Sequence, residues 1–230
     1  MMVNCLLDFV AVVIIVMISC FMLTKRRSGL PFYIYYRSEL IVLLMITLLD
    51  IFTSWLINSS YDPLDDIDGS LKVFIYIANL AVVFLRLFFI ALFTLYLVSF
   101  TRIDGKSMFK WRVRVYSVAT ATLLCLTWIV AYYGIRNIDI IDLRELPIVK
   151  YIQYAVLIYY LILEYVVGLR YRKLFDRNLM LHVMLDGLFL TAIIAGQVAF
   201  QNVRFATFAA AIVMVDLIYV GLRPEEIFDD

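Results

Sequence analysis

The sequence predicts an all-α polytopic membrane protein, a bundle of seven transmembrane helices. Three observations predict it. The 230 residues are 65% hydrophobic and 17% charged, with a mean hydropathy of +0.95, whereas a soluble domain is about 45–50% apolar and about 25% charged. The apolar residues fall in seven continuous runs, each near the ~20 residues that a span needs. The basic residues collect in alternate connections, as the positive-inside rule requires. The same composition excludes a disordered chain, a coiled coil and a secreted disulfide scaffold. A net charge of +1 supplies no field to draw nucleic acid.

The spans follow in order. Span 1, residues 3–23, has no basic residue before its apolar run, while Lys25, Arg26 and Arg27 follow it. It therefore reads as a retained first span rather than a cleaved signal peptide. Span 2, residues 37–57, leads into an acidic connection holding Asp62, Asp65, Asp66 and Asp68. Span 3, residues 71–100, leads into the basic residues Arg102, Lys106, Lys110, Arg112 and Arg114. Span 4, residues 114–134, offers only hydroxyls such as Ser117, Thr120 and Thr127, and a connection of mixed charge follows. Span 5, residues 149–168, is followed by Arg170, Arg172, Lys173 and Arg177. Spans 6 and 7, residues 178–198 and 204–222, are joined by a short connection with only Arg204. This alternation puts the N-terminus outside and the C-terminus in the cytoplasm of a cell (inner or plasma) membrane, with multiple passes. Residues 1–222 form one transmembrane domain, and residues 223–230 a cytoplasmic stub.

The four prolines, Pro31, Pro63, Pro147 and Pro224, sit at or beyond span edges, and few glycines fall inside spans. The helices should therefore run unbroken. Transporters often bind substrate at Gly/Pro-interrupted helices near the midplane, a signature missing here. A small-solute or proton/ion transporter is accordingly the alternative reading rather than the leading one.

Ionisable groups inside a bilayer are costly and face the bundle interior. Asn79 and Arg86 share a face of span 3, as do Gln153, Tyr160 and Glu164 in span 5. His182, Asp186 and Gln197 align in span 6, and span 7 offers Asp216. Counted from the predicted outer ends, Arg86 and Glu164 both lie ~22 Å deep and Asp216 ~18 Å deep. The candidate network is therefore Arg86 with Asp186, Asp216 and Glu164, surrounded by Asp50, Asn79, His182 and Gln197. Three carboxylates around one guanidinium cannot all be ionised cheaply. At least one of Asp186, Asp216 and Glu164 is expected to be protonated or to hold a cation. Glu39 shares a face with Asp50 but is expected at the cytoplasmic interface, solvated beside Arg37.

Other chemistries fail on composition. Every lysine lies in a loop or at a span end and none in the membrane core, which excludes a retinal Schiff base, and the single histidine, His182, excludes a bis-imidazole haem in a monomer. Cys5, Cys20 and Cys125 have no ligand-like spacing and read as small buried hydrophobes. His182 and Asp186, four residues apart, read as a hydrogen-bonded structural pair, and no nucleophile motif accompanies them. No cofactor, metal or catalytic residue is expected. The chain is read as a non-enzyme.

Span 7 ends in Tyr219, then Arg223, Pro224, Glu225 and Glu226, and closes on Asp229 and Asp230. This segment resembles the junction in bacterial sensors where a multi-helix membrane module hands over to a GGDEF diguanylate cyclase domain, with Arg223 in place of the usual asparagine. Seven-span sensor modules of histidine kinases are similar in layout. The resemblance implies a membrane-embedded sensor and signal-transduction module that detects an extracellular or membrane-borne signal. The signal would leave through helix 7 to a cytoplasmic output, with residues 223–230 as the start of a linker to a domain absent from this chain. It also implies, as partners, the lipid bilayer, a small ligand or membrane signal of unknown identity and a homodimer, although no GxxxG stripe demands one.

Overall fold

Long apolar runs without interior proline leave the backbone one economical way to satisfy its own polar groups, and every described stretch is helical. The computed structural model describes residues 2–24, 31–59, 69–99, 104–136, 146–171, 177–199 and 206–222. Among them are seven helices and no strand: α1 (Met2–Thr24), α2 (Pro31–Ser59), α3 (Gly69–Ser99), α4 (Gly105–Arg136), α5 (Pro147–Tyr171), α6 (Arg177–Ala199) and α7 (Ala206–Leu222). Three stretches, Val73–Ser99, Gly105–Tyr132 and Pro147–Tyr171, are long and apolar enough to cross a membrane.

Helix starts follow local chemistry. Pro31 and Pro147 open α2 and α5, at the position where a missing N–H costs nothing and the fixed φ suits a helix. The Leu146 carbonyl accepts from the Val149 and Lys150 amides at 3.0 and 3.1 Å. Asp104 caps α4: its carboxylate accepts from the Ser107 amide at 3.3 Å, and its carbonyl from the Met108 amide at 3.0 Å. That cap carries α4 nine residues ahead of the predicted start at 114. The basic Lys106, Lys110 and Arg112 therefore belong to a helix and not to a loop.

α1, α2, α3, α5, α6 and α7 contact one another in a closed ring, α1 meeting α7. α3 is the hub, touching α2, α4, α5 and α6, and 78% of its most apolar window is buried. α4 stands outside the ring against α3 and α5, with only 28% of its window buried. Phe89, Phe93, Tyr96, Leu43, Ile15 and Tyr160 are fully buried in the core. Large apolar side chains cover the outside, among them Phe9, Met17, Phe109, Tyr151 and Trp128, the last 73% exposed. A soluble monomer does not present so much contiguous apolar surface.

Candidate functional site

Polar side chains enter this core at two levels. The first is an ion pair. Asp50 on α2 and Arg86 on α3 are buried, and Arg86 Nη2 donates to Asp50 Oδ2 at 2.7 Å. Arg86 Nε has no partner among the described residues. The nearby Thr47 and Thr53 hydroxyls donate to carbonyls of their own helix, Leu43 and Leu49. They satisfy themselves within α2.

The second level lies nearer the other end of the ring. The Thr94 hydroxyl on α3 lies 3.2 Å from Glu164 Oε1 on α5 and 3.0 Å from the Ile90 carbonyl. Glu164 is pressed against α6 at Gly187, where an added Cβ would lie 2.5 Å from Glu164 Oε2 and 2.8 Å from Phe93 Cε1. Glu39 on α2 is fully buried and close enough to Glu164 for the two charges to repel. Next in the chain to Gly187, Asp186 lies close enough to Asp216 of α7 for the two carboxyl groups to interact. The Tyr36 hydroxyl donates to the Met214 carbonyl at 2.7 Å, and Tyr96 to the Leu217 carbonyl at 3.4 Å. Tyr36 and Tyr96 themselves lie ring to ring, centroids 6.2 Å apart. Side chains from α2, α3 and α6 thus all take hold of α7 over one turn.

Several sequence expectations need correction. Arg86 pairs with Asp50 and not with Glu164, Asp186 or Asp216. Thr94, the α3 neighbour of Glu164, lies eight residues past Arg86, about 12 Å further along the helix. Depth counted from predicted ends assumed that α3 and α5 start on one plane. Instead Val149, near the start of α5, packs in one cluster with Leu80 and Val83, well inside α3. Glu39 is not solvated, because the closed ring covers that turn of α2, and Arg37 makes no ion pair with it. His182 is exposed and does not hydrogen-bond Asp186; its side chain points out of the ring. Asp186 and Asp216 are only partly buried. Gln197 is buried but eleven residues from Asp186, about 16 Å along α6. Asn79 is buried seven residues before Arg86, on the side away from Thr94. Cys20 and Cys125 are free and exposed, not buried; the side chain of Cys5 and residues 223–230 lie outside what is described.

Glu39, Thr94, Gly187, Tyr36 and Tyr96 are the members of the inner level that sequence reasoning missed. The eleven-residue spacing of Glu39 and Asp50 carried a signal, since it put both on one face. No three His, Cys, Asp or Glu side chains converge as a metal cage among the described residues. Fold and site together define a helical protein with long apolar helices, as in membrane proteins, and an ionisable interior. No family model, curated protein or solved structure matches the chain.

Proposed function

We propose that this chain is a non-enzymatic, membrane-embedded sensor and signal-transduction module. All seven helices cross a cell membrane, with the N-terminus outside and the C-terminus in the cytoplasm. The signal is extracellular or membrane-borne, and the output leaves through α7. The observation that carries this reading is the grip on α7. Tyr36 and Tyr96 donate to its backbone, and Asp186 faces its Asp216, all beside the Glu39–Glu164 level. Tyr36 lies one turn before Glu39 on the same helix face. A change of charge or occupancy at Glu39 thereby reaches the hydroxyl that holds α7, a bistable contact of the kind that shifts helices.

The test is a distance measurement between spin labels on the exposed positions Met45 of α2 and Val215 of α7, in nanodiscs, with the native cysteines replaced. Tyr36→Phe combined with Tyr96→Phe should shift or broaden the α2–α7 distribution. A distribution identical to that of the parent would sink the transduction reading.

One observation favours a second reading. Two buried carboxylates at one level also suit a proton or ion transporter. That reading requires flux of protons or alkali ions across proteoliposomes containing the chain alone, and zero flux removes it.

A further inference from the structure

Among the described residues, Glu39 is a buried carboxyl group left without a hydrogen bond at both oxygens. It is 0% exposed. Its charged neighbour is another acid, Glu164, which is 3% exposed. Among the described residues Glu164 is the charge that acts on Glu39, and the guanidinium that α4 brings to α2, Arg112, donates its Nε–H to the Tyr35 hydroxyl at 2.6 Å. From α2 comes Tyr36, its proton committed to the Met214 carbonyl. From α3 comes Thr94. From α5 comes Tyr160, which donates to the Val115 carbonyl at 3.0 Å. α6 presents Gly187 and the neighbouring Asp186, and α7 presents Asp216, which faces Asp186. The charged residue described on α1, Asp8, lies at the end remote from the α1–α2 connection and so from Glu39. Arg86 is engaged by Asp50.

A buried carboxylate with neither partner nor counter-charge is too costly to leave bare. We propose that Glu39 and Glu164 together bind a monovalent cation, an alkali ion or a proton, inside the ring of helices. Thr94 does not discharge the site. Its one hydroxyl hydrogen is shared between the Ile90 carbonyl at 3.0 Å and Glu164 Oε1 at 3.2 Å, so it supplies Glu164 with part of one neutral hydrogen bond and no charge. A single positive charge fits better than two, because calcium takes six to eight oxygens and magnesium a near-ideal octahedron, and no three-residue cage exists among the described residues. This site does not depend on α7 carrying an output; the spin-label distances test the output, and the following experiment tests the site.

The experiment is infrared difference spectroscopy of the full chain in nanodiscs. The wild type is prepared with and without ¹³C-labelled glutamate, which separates glutamate from aspartate bands without any substitution. One series varies pH in choline chloride, and the other varies NaCl against choline chloride at fixed pH. The expected result is a glutamate carboxyl band that is lost on raising pH or sodium, and that is missing in Glu39→Gln and in Glu164→Gln. A response to pH alone identifies the proton as occupant; a response to sodium at fixed pH identifies the alkali ion. Glutamate bands that respond to neither series overturn the proposal, as does a response that survives in both variants.

Discussion

Arg86 of α3 and Asp50 of α2 meet at 2.7 Å inside the ring, Asp50 wholly enclosed and Arg86 8% exposed. Removing one partner strands the other charge in a low dielectric, at a cost of about 3–5 kcal/mol. Arg86→Gln and Asp50→Asn should each destabilise the bundle by that order. The double variant should cost clearly less than the sum of the two, because it strands nothing. Unfolding of the four proteins in one detergent completes the cycle, and strict additivity would show that the two side chains do not act as a pair.

Gly187 is required by close approach. A Cβ there would lie 2.5 Å from Glu164 Oε2 and 2.8 Å from Phe93 Cε1, a side chain fully buried in the core. Gly187→Ala should therefore cost about 1–3 kcal/mol through overpacking. Glu164→Ala in the same chain should relieve part of that cost, since it removes the closest obstruction. Thermal unfolding checks both, and an unchanged midpoint in Gly187→Ala would mean that α5 and α6 sit further apart than described.

The helical class was legible because it rests on composition and run length, which survive errors of a few residues at each end. The polar residues that matter were legible as a set, since a charge inside an apolar run stands out wherever the run begins. Their pairing was not. Arg86 finds Asp50 and Glu164 finds Thr94 because α3 and α5 are offset along their axes, as Val149 beside Leu80 and Val83 records. That offset is set by packing between helices distant in sequence. Glu39 was misjudged for a related reason: its distance from the end of its apolar run is visible, but the helices that close over α2 include α3 and α7, and α7 is distant in sequence.

Asp104 links α4 to pH. Hydrogen bonds from the Ser107 side chain and then from its amide hold this carboxyl below its ordinary value of 3.8. A lowered folded-state value means that the cap is fully present above 3.8 and is lost as pH falls through the lower, folded value. Amide exchange at Ser107 and Met108 should thus stay protected down to the ordinary carboxylate range and lose protection only below it. Asp104→Ala should remove that protection at neutral pH. Equal protection in both proteins would show that the cap contributes nothing to the first turn.

Asp186 and Asp216 make the case in which losing a charge should cost nothing. Asp186 and Asp216 interact across the α6–α7 contact, and an amide can occupy the same space while donating to the carboxylate opposite. Asp216→Asn supplies a permanent donor of the same shape, and should leave stability unchanged or raise it. Asp216→Ala leaves Asp186 with no partner across the α6–α7 contact, and should lower stability by about 1–3 kcal/mol. His182→Ala, at an exposed position one turn away, should stay within about 0.5 kcal/mol of the parent. The order Asn at least equal to wild type, His182→Ala near it and Asp216→Ala below both is the signature of a hydrogen bond that holds α6 to α7 by shape. If Asp216→Asn proved as harmful as Asp216→Ala, the essential feature would instead be the negative charge, and α7 would be held by electrostatics reaching beyond Asp186.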